Sequence, residues 1–236
     1  MSALAIAERS IDQQEGKLPD LLKKSAEDGH APSQYQLGKN HENGIDGFAR
    51  NYALAIFWYR KAVYQGYAEA QFALGQCYEQ GRGFWSRHRR KAVQLYLQAA
   101  EQGLAEAQHR LSLCYERGIG VQENASETFR WTEAAAAQNL PVARYNFGVL
   151  HELGYGVDKN AAKAFVLYAG VLCDGSRDER LTDALSRLIK STRVGVEPES
   201  KNLLTIFPDR TSLAIGQFHT LLGNCHEALD YKVTLG

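Results

Sequence analysis

The sequence predicts an all-α chain, a solenoid of stacked helix pairs, and three observations carry that prediction. The first is a repeat. Gly66-Tyr-Ala-Glu-Ala-Gln71 returns as Gly103-Leu-Ala-Glu-Ala-Gln108, an offset of 103 − 66 = 37 residues. Looser copies stand at Gly29-His-Ala-Pro-Ser-Gln34 and Asn139-Leu-Pro-Val-Ala-Arg144, at offsets of 66 − 29 = 37 and 139 − 103 = 36. A fixed period in this range marks similar supersecondary units in a row rather than one globular core. The second observation is that apolar residues within each copy keep helical spacing, and the third is that glycines punctuate the copies at constant places.

The first helix of each unit, helix A, carries Leu37-Gly38, Leu74-Gly75, Leu111-Ser112 or Phe147-Gly148. Four residues after each Leu or Phe stands a ring: His41, Tyr78, Tyr115 or His151. That i,i+4 spacing defines one helix face. Glu-x-Gly follows, as Glu42/Gly44, Glu79/Gly81, Glu116/Gly118 and Glu152/Gly154, and the glycine is a stop signal. Pro32 and Pro141 fall in the first turn of helix A, where the missing N–H costs nothing.

The second helix, helix B, reads Ala55-x-x-Trp58-Tyr59-x-x-Ala62, Ala92-x-x-Leu95-Tyr96-x-x-Ala99, Thr128-x-x-Trp131-x-x-x-Ala135 and Ala164-x-x-Leu167-Tyr168-x-x-Val171. These residues form one apolar stripe. Gly29, Gly66 and Gly103 end helix B, and Asn139 takes that place in the last copy because Asn tolerates the left-handed conformation. The small residues Gly38, Gly75 and Gly148 predict close backbone approach where helices A and B cross.

Residues 18–172 resemble the Sel1-like repeats of the tetratricopeptide superfamily. The matching elements are Ala-x-x-Trp-Tyr-x-x-Ala, Gly-x-Ala-x-Ala-Gln, Leu-Gly, Cys-Tyr-Glu-x-Gly and the later Gly83-Phe84, Gly120-Val121 and Gly156-Val157. Copies one and four depart at His41, His151 and Asn139. The resemblance implies a right-handed α-solenoid acting as an adaptor or scaffold that binds a protein or peptide in its concave groove. An immunity-type inhibitor of a toxin or effector is a second implication. A β-lactam-binding hydrolase is a third, opposed by the lack of Ser-x-x-Lys, and the reading taken is not an enzyme.

The chain has 236 residues with 27 Lys+Arg against 27 Asp+Glu, so no global field points to nucleic acid or to an anionic membrane. The N-terminal segment has no basic n-region, and no stretch reaches a membrane-spanning length. Cys77, Cys114, Cys173 and Cys225 form no Cys-x-x-Cys; Cys77 and Cys114 repeat at equivalent places, beyond disulfide reach of each other. These features predict free thiols and a cytoplasmic protein. Some secreted relatives carry paired cysteines in each repeat; this chain lacks that pattern.

Residues 1–17 predict a capping helix with Leu4, Ile6 and Ile11 inward, and 18–193 the solenoid. Within it, Leu18–Asp28 reads as the end of a helix B, and 178–192 as a capping helix through Leu181, Leu185 and Leu188. Residues 194–236 open on a loop-like Gly195-to-Lys201 stretch. Phe218, Leu221, Leu222, Cys225 and Leu229 fit a helix, whereas the stretches ending at Phe207 and spanning Tyr231–Leu235 fit strands; a C-terminal cap is the reading taken.

Three surface features are candidates for function. Opposite the Leu-Gly side, Tyr35, Phe72, His109 and Tyr145 form a column of rings, and Lys39, Gln76, Leu113 and Val149 a second column beside it. Rigid rings often anchor interfaces, although these rings would equally pack on a neighbouring helix. The recurring Glu42, Glu79, Glu116 and Glu152 would attract a basic peptide or, as the favoured reading, bond the backbone of their own loops. The loop from Arg82 to Lys91, with Trp85, Arg87, Arg89 and Arg90, would grip phosphate or nucleic acid or, as the favoured reading, simply be solvated. His41 and His151 read as packed rings, and His219, Cys225 and His226 are too few for zinc, so no metal and no cofactor is expected.

Overall fold

The 37-residue period folds as pairs of helices, nearly all of one length. The structure, a computed structural model, describes residues 18–84, 86–173, 180, 181, 183–185, 187 and 188. In chain order the helices are α1 (Leu18–Glu27), α2 (Ala31–Asn43), α3 (Tyr52–Tyr64), α4 (Ala68–Gln80), α5 (Arg89–Glu101), α6 (Ala105–Arg117), α7 (Ala125–Ala137), α8 (Pro141–Leu153) and α9 (Ala161–Cys173). Helices α2, α4, α6 and α8 are the A helices; α3, α5, α7 and α9 are the B helices, with α1 a leading B helix. No strand occurs among the described residues. Two compact units divide the chain between Lys159 and Asn160.

In the first unit, packing is densest within the pairs α2/α3, α4/α5 and α6/α7, and each pair then packs on the next through α3/α4, α5/α6 and α7/α8. This is the nearest-neighbour architecture of an α-solenoid. The predicted Leu-Gly side is the core: Leu37, Leu74 and Leu111 are buried together with Ala55, Ala62, Ala92, Ala99 and Ala135.

The punctuation is as the sequence predicts. Gly44, Gly81, Gly118 and Gly154 cap the A helices in the left-handed conformation. At the turn from B to A, Gly66 has φ 80° and Asn139 has φ 60°. A Cβ at Gly66 would meet nothing within 4 Å, so backbone conformation rather than space selects the residue there. The N-caps have no counterpart in the sequence reading. Asn51 and Asn124 accept from the backbone N–H groups of Leu54 and Glu127. The same residues close the A-to-B loops, because the Asn51 N–H donates to the His41 carbonyl at 2.7 Å and the Asn124 N–H to that of Tyr115 at 3.0 Å.

The crossing of A and B differs from the prediction in its physical reason. A Cβ on Gly38 would stand 2.6 Å from the Tyr59 ring, and one on Gly75 would stand 2.6 Å from the Tyr96 ring. The glycine therefore makes room for a tyrosine ring, more than for a neighbouring backbone. Tyr59 and Tyr96 are almost wholly buried as a result.

Buried glutamines at the start of the A helices bond to the neighbouring B helices. The Gln34 side-chain amide donates to the Ala26 carbonyl at 3.0 Å, and the Gln65 amide donates to Gln34 Oε1 at 2.8 Å. Gln102 donates to Gln71 at 2.7 Å, and Gln138 to Gln108 at 2.8 Å. The glutamine of each Ala-x-x-Gln start thus meets the glutamine at the end of its own repeat's B helix.

In the second unit, Ala164, Tyr168 and Val171 of α9 are buried. The described residues between 180 and 188 are helical with Leu181, Leu185 and Leu188 buried, as the spacing predicts. The expected N-terminal cap at 1–17 and C-terminal cap at 194–236 lie outside the described residues, as does Cys225.

Cys77 and Cys114 are free and buried. Burial first, and then the nearby Glu42 carboxylate, pushes the Cys77 thiol up to about 12 from its ordinary 9.0. Burial and Glu79 do the same to Cys114, up to about 12. Arg82 and Arg110 oppose these shifts only in part.

Two predictions follow from this packing. Leu111→Ala removes a fully buried side chain and is expected to cost about 2–5 kcal/mol in denaturant unfolding. The thiols also set an alkaline limit. Above pH 9.0 the unfolded chain releases protons that the folded chain retains until about 12. Stability is therefore complete below that window and falls through it, by up to about 1.4 kcal/mol per pH unit for each thiol. Urea midpoints measured at pH 8 and pH 11 are expected to differ markedly, and less so in Cys77→Ala.

Candidate functional site

The A helices put the predicted ring column in register. The Tyr35 ring lies 5.9 Å from that of Tyr59 and 5.6 Å from that of Tyr67. Phe72 lies 5.6 Å from Tyr96. Tyr35, Phe72, His109 and Tyr145 are all half-buried. The side chains of Tyr35 and Phe72 thus rest on the B-helix tyrosine of their own repeat and present a remainder to solvent. His109 is held neutral by burial and, less strongly, by Arg110, both of which lower its pKa; its Nδ1 is buried without a hydrogen-bond partner. In the second column Lys39 is exposed, while Gln76, Leu113 and Val149 are half-buried.

The glutamates depart from both sequence readings. Glu42 accepts a hydrogen bond from the Tyr59 hydroxyl at 2.6 Å and from Arg82 Nη1 at 2.7 Å. Glu79 accepts from the Tyr96 hydroxyl at 2.7 Å and takes Arg110 through both arms of the guanidinium, at 3.0 Å to Nε and 2.6 Å to Nη2. Their side chains are only 12% and 10% exposed. Neither is held by the backbone of its own loop, and neither is an open acidic site. Charge-assisted bonds of this kind are short and strong; those from the tyrosines lie within a repeat and those from the arginines between consecutive repeats. They also raise the pKa of Arg82, above all through the Glu42 bond.

The third repeat breaks this pattern. Thr132 stands where Tyr96 stands one repeat earlier (132 − 96 = 36), and Ser112 stands in place of Gly75 (112 − 75 = 37). Asn146 takes the place of Arg110 (146 − 110 = 36). Glu116 is retained, with its side chain 41% exposed and its neighbour Arg117 at 3.7 Å. A cavity of about 80 Å³ opens beside it, with Ser112, Leu113, Thr132, Asn146 and Val149 among its walls.

The basic segment is not a single loop. Arg89, Arg90 and Lys91 open α5. Arg82 is engaged by Glu42, whereas Arg87, Arg89 and Arg90 are exposed. Phe84 stacks on Tyr78 with centroids 4.3 Å apart. Trp85 lies outside the described residues, as do His219, Cys225 and His226. Among the described residues no group of three or more His, Cys, Asp or Glu side chains comes together to hold a metal. No helix among them is long and apolar enough to cross a membrane.

Two features escape the sequence reading. The Tyr–Glu pairs were signalled by the shared 37-residue recurrence of Tyr59/Tyr96 and Glu42/Glu79, but not by any spacing within one helix. The other is an open cleft of about 700 Å³ lined by Glu27, Phe57, Arg60, Lys61 and Tyr64, with Lys61 Nζ 4.8 Å from the Phe57 and Trp58 ring centres. Its only signal was that Phe57 and Tyr64 lie off the apolar stripe of helix B.

Comparison with known proteins gives a consistent result. The Sel1 repeat family model matches residues 31–67, 68–104, 105–140 and 141–169, more than half of the chain. No curated protein matches. A protective antigen of uropathogenic Escherichia coli with an SLR fold is 31% identical with a TM-score of 0.64, covering 66% of this chain; the chain spans 33% of that protein's length. A Sel1 repeat protein from Oxalobacter formigenes is 26% identical with a TM-score of 0.64, covering 87% of this chain and 98% of its own. An immunity protein from Pseudomonas aeruginosa is 17% identical, with coverage of 82% and 80% and a TM-score of 0.45. Sel1 repeat proteins are in general protein-interaction scaffolds. With four consecutive matched repeats, the first three each folded as an A/B helix pair, the chain belongs to the Sel1 repeat family.

Proposed function

We propose that this chain is a non-catalytic scaffold that binds a protein or peptide partner along the face formed by the A helices. The observation that carries the reading is the ring column. Tyr35 and Phe72 are braced by Tyr59 and Tyr96 while remaining half-exposed. A partner meeting rings already held in place loses little side-chain entropy on binding, the property that makes rigid aromatics good anchors. The neighbouring column changes from exposed Lys39 to half-buried Leu113 and Val149, which gives the face a direction along the solenoid. The free, buried Cys77 and Cys114 support a reducing, cytoplasmic setting.

The test begins with capture of a partner from the native lysate, its identification by mass spectrometry and measurement of its affinity. Tyr35→Ala with Phe72→Ala is expected to weaken that complex at least tenfold, because anchors of this kind lose about 2 kcal/mol or more on truncation. Circular dichroism is expected to show unchanged helix content. Unweakened binding, or binding lost only together with helicity, would reject this face as the site.

A further inference from the structure

Glu42 and Glu79 each hold two groups of the same chain, a tyrosine hydroxyl and an arginine guanidinium. In the third repeat the carboxylate is kept and both in-chain donors are lost. Thr132 replaces the tyrosine. The two places that supply arginine elsewhere also lack a cation. The Arg110 place, 110 − 79 = 31 residues after Glu79, is Asn146, and the Arg82 place, 82 − 42 = 40 residues after Glu42, falls near Tyr155. The cavity of about 80 Å³ beside Glu116 has Ser112 and Thr132, the residues at the glycine and tyrosine places, among its walls.

We propose that this cleft receives the arginine side chain of a protein partner, which completes from outside the arrangement that Arg110 completes from inside one repeat earlier. The chemistry of the walls fits a guanidinium. Glu116 supplies a carboxylate for a forked contact, and Ser112, Thr128, Thr132 and Asn146, all residues able to accept from the remaining N–H groups, are also among the walls; the Ser112 and Thr128 hydroxyls donate to the His109 and Asn124 carbonyls and keep lone pairs for accepting. Leu113, Val149 and Leu150 offer apolar surface to the aliphatic stem. Arg117 is itself one of the walls and a weak competitor: its Nε is 3.7 Å from Glu116, its side chain is 65% exposed, and solvated pairs of this kind contribute little. The assignment deepens the proposed function, since Leu113 and Val149 belong to the same A-helix face, and it rests on that reading for the partner being a protein.

The probe is N-acetyl-arginine amide, titrated into the full-length chain and followed by methyl NMR. Saturable shifts are expected at Leu113, Val149, Leu150 and Thr132, with a dissociation constant on the order of 1 mM for a ligand of this size. N-acetyl-norleucine amide, which has no guanidinium, is expected to leave them in place. Glu116→Gln is expected to weaken binding at least tenfold. Ser112→Gly with Thr132→Tyr restores the in-chain ring and is expected to abolish binding; should that variant not fold, Glu116→Gln alone decides. Shifts that do not saturate, or that survive Glu116→Gln, overturn the proposal. A captured partner that needs Tyr35 and Phe72 but is indifferent to Glu116→Gln would overturn this assignment and leave the A-helix face standing as the site.

Discussion

A tyrosine ring packed against a glycine sets the geometry of the first two repeats. With hydrogen at Gly38 and Gly75, the Tyr59 and Tyr96 rings enter the crossing of helices A and B and bury their full faces. A buried ring of this size contributes a large apolar area, but its hydroxyl must find an acceptor. Glu42 and Glu79 are that acceptor, and the charge thereby drawn inward needs a cation, which Arg82 and Arg110 provide from the following repeat. One close contact within a repeat thus leads, through successive demands for polar satisfaction, to an ionic link between repeats. At the opposite ends of the helices the glutamine pairs satisfy one another with neutral groups, each pair within a single repeat.

Much of the fold was legible because it is periodic. Leu37, Leu74 and Leu111, the capping glycines and the left-handed Asn139 each occupy a place defined by the repeat and by one helix alone. The roles of Glu42 and Glu79 were not legible in that way. Helical phase placed Glu79 away from the Leu-Gly core, which is correct for α4 considered singly. In a stack, however, the outer flank of one helix becomes an inner flank once the next repeat arrives, and Arg110 closes over it. Phase on one helix carries no information about that neighbour. The same limitation applies to the glycines, whose tightest partner is a ring 21 residues onward (59 − 38 = 21), with the helix B backbone carbonyl of Ala55 or Ala92 close behind it.

The candidate face shows the same division. The register of Tyr35, Phe72, His109 and Tyr145 follows from the repeat, whereas their half-burial follows from what each meets across the helix pair. Tyr35 and Phe72 meet tyrosine rings, and His109 belongs to the one described repeat of the first unit in which the corresponding helix B residue is threonine. The irregular third repeat, invisible as a site while its residues were read one helix at a time, becomes distinctive only against its two regular neighbours.

The contact between glycine and ring also constrains how such a repeat can change its sequence. The two positions cannot vary independently. Placing any side chain at Gly75 while Tyr96 is present would bring a Cβ to 2.6 Å from the ring, whereas losing the ring first only opens space. Of the two single-step intermediates between the Gly75/Tyr96 pair and the Ser112/Thr132 pair, serine with tyrosine meets this clash and glycine with threonine does not. By the route without the clash, the hollow comes before the polar side chain that lines it, so a repeat that gives up its aromatic ring opens a cleft before it acquires a polar wall.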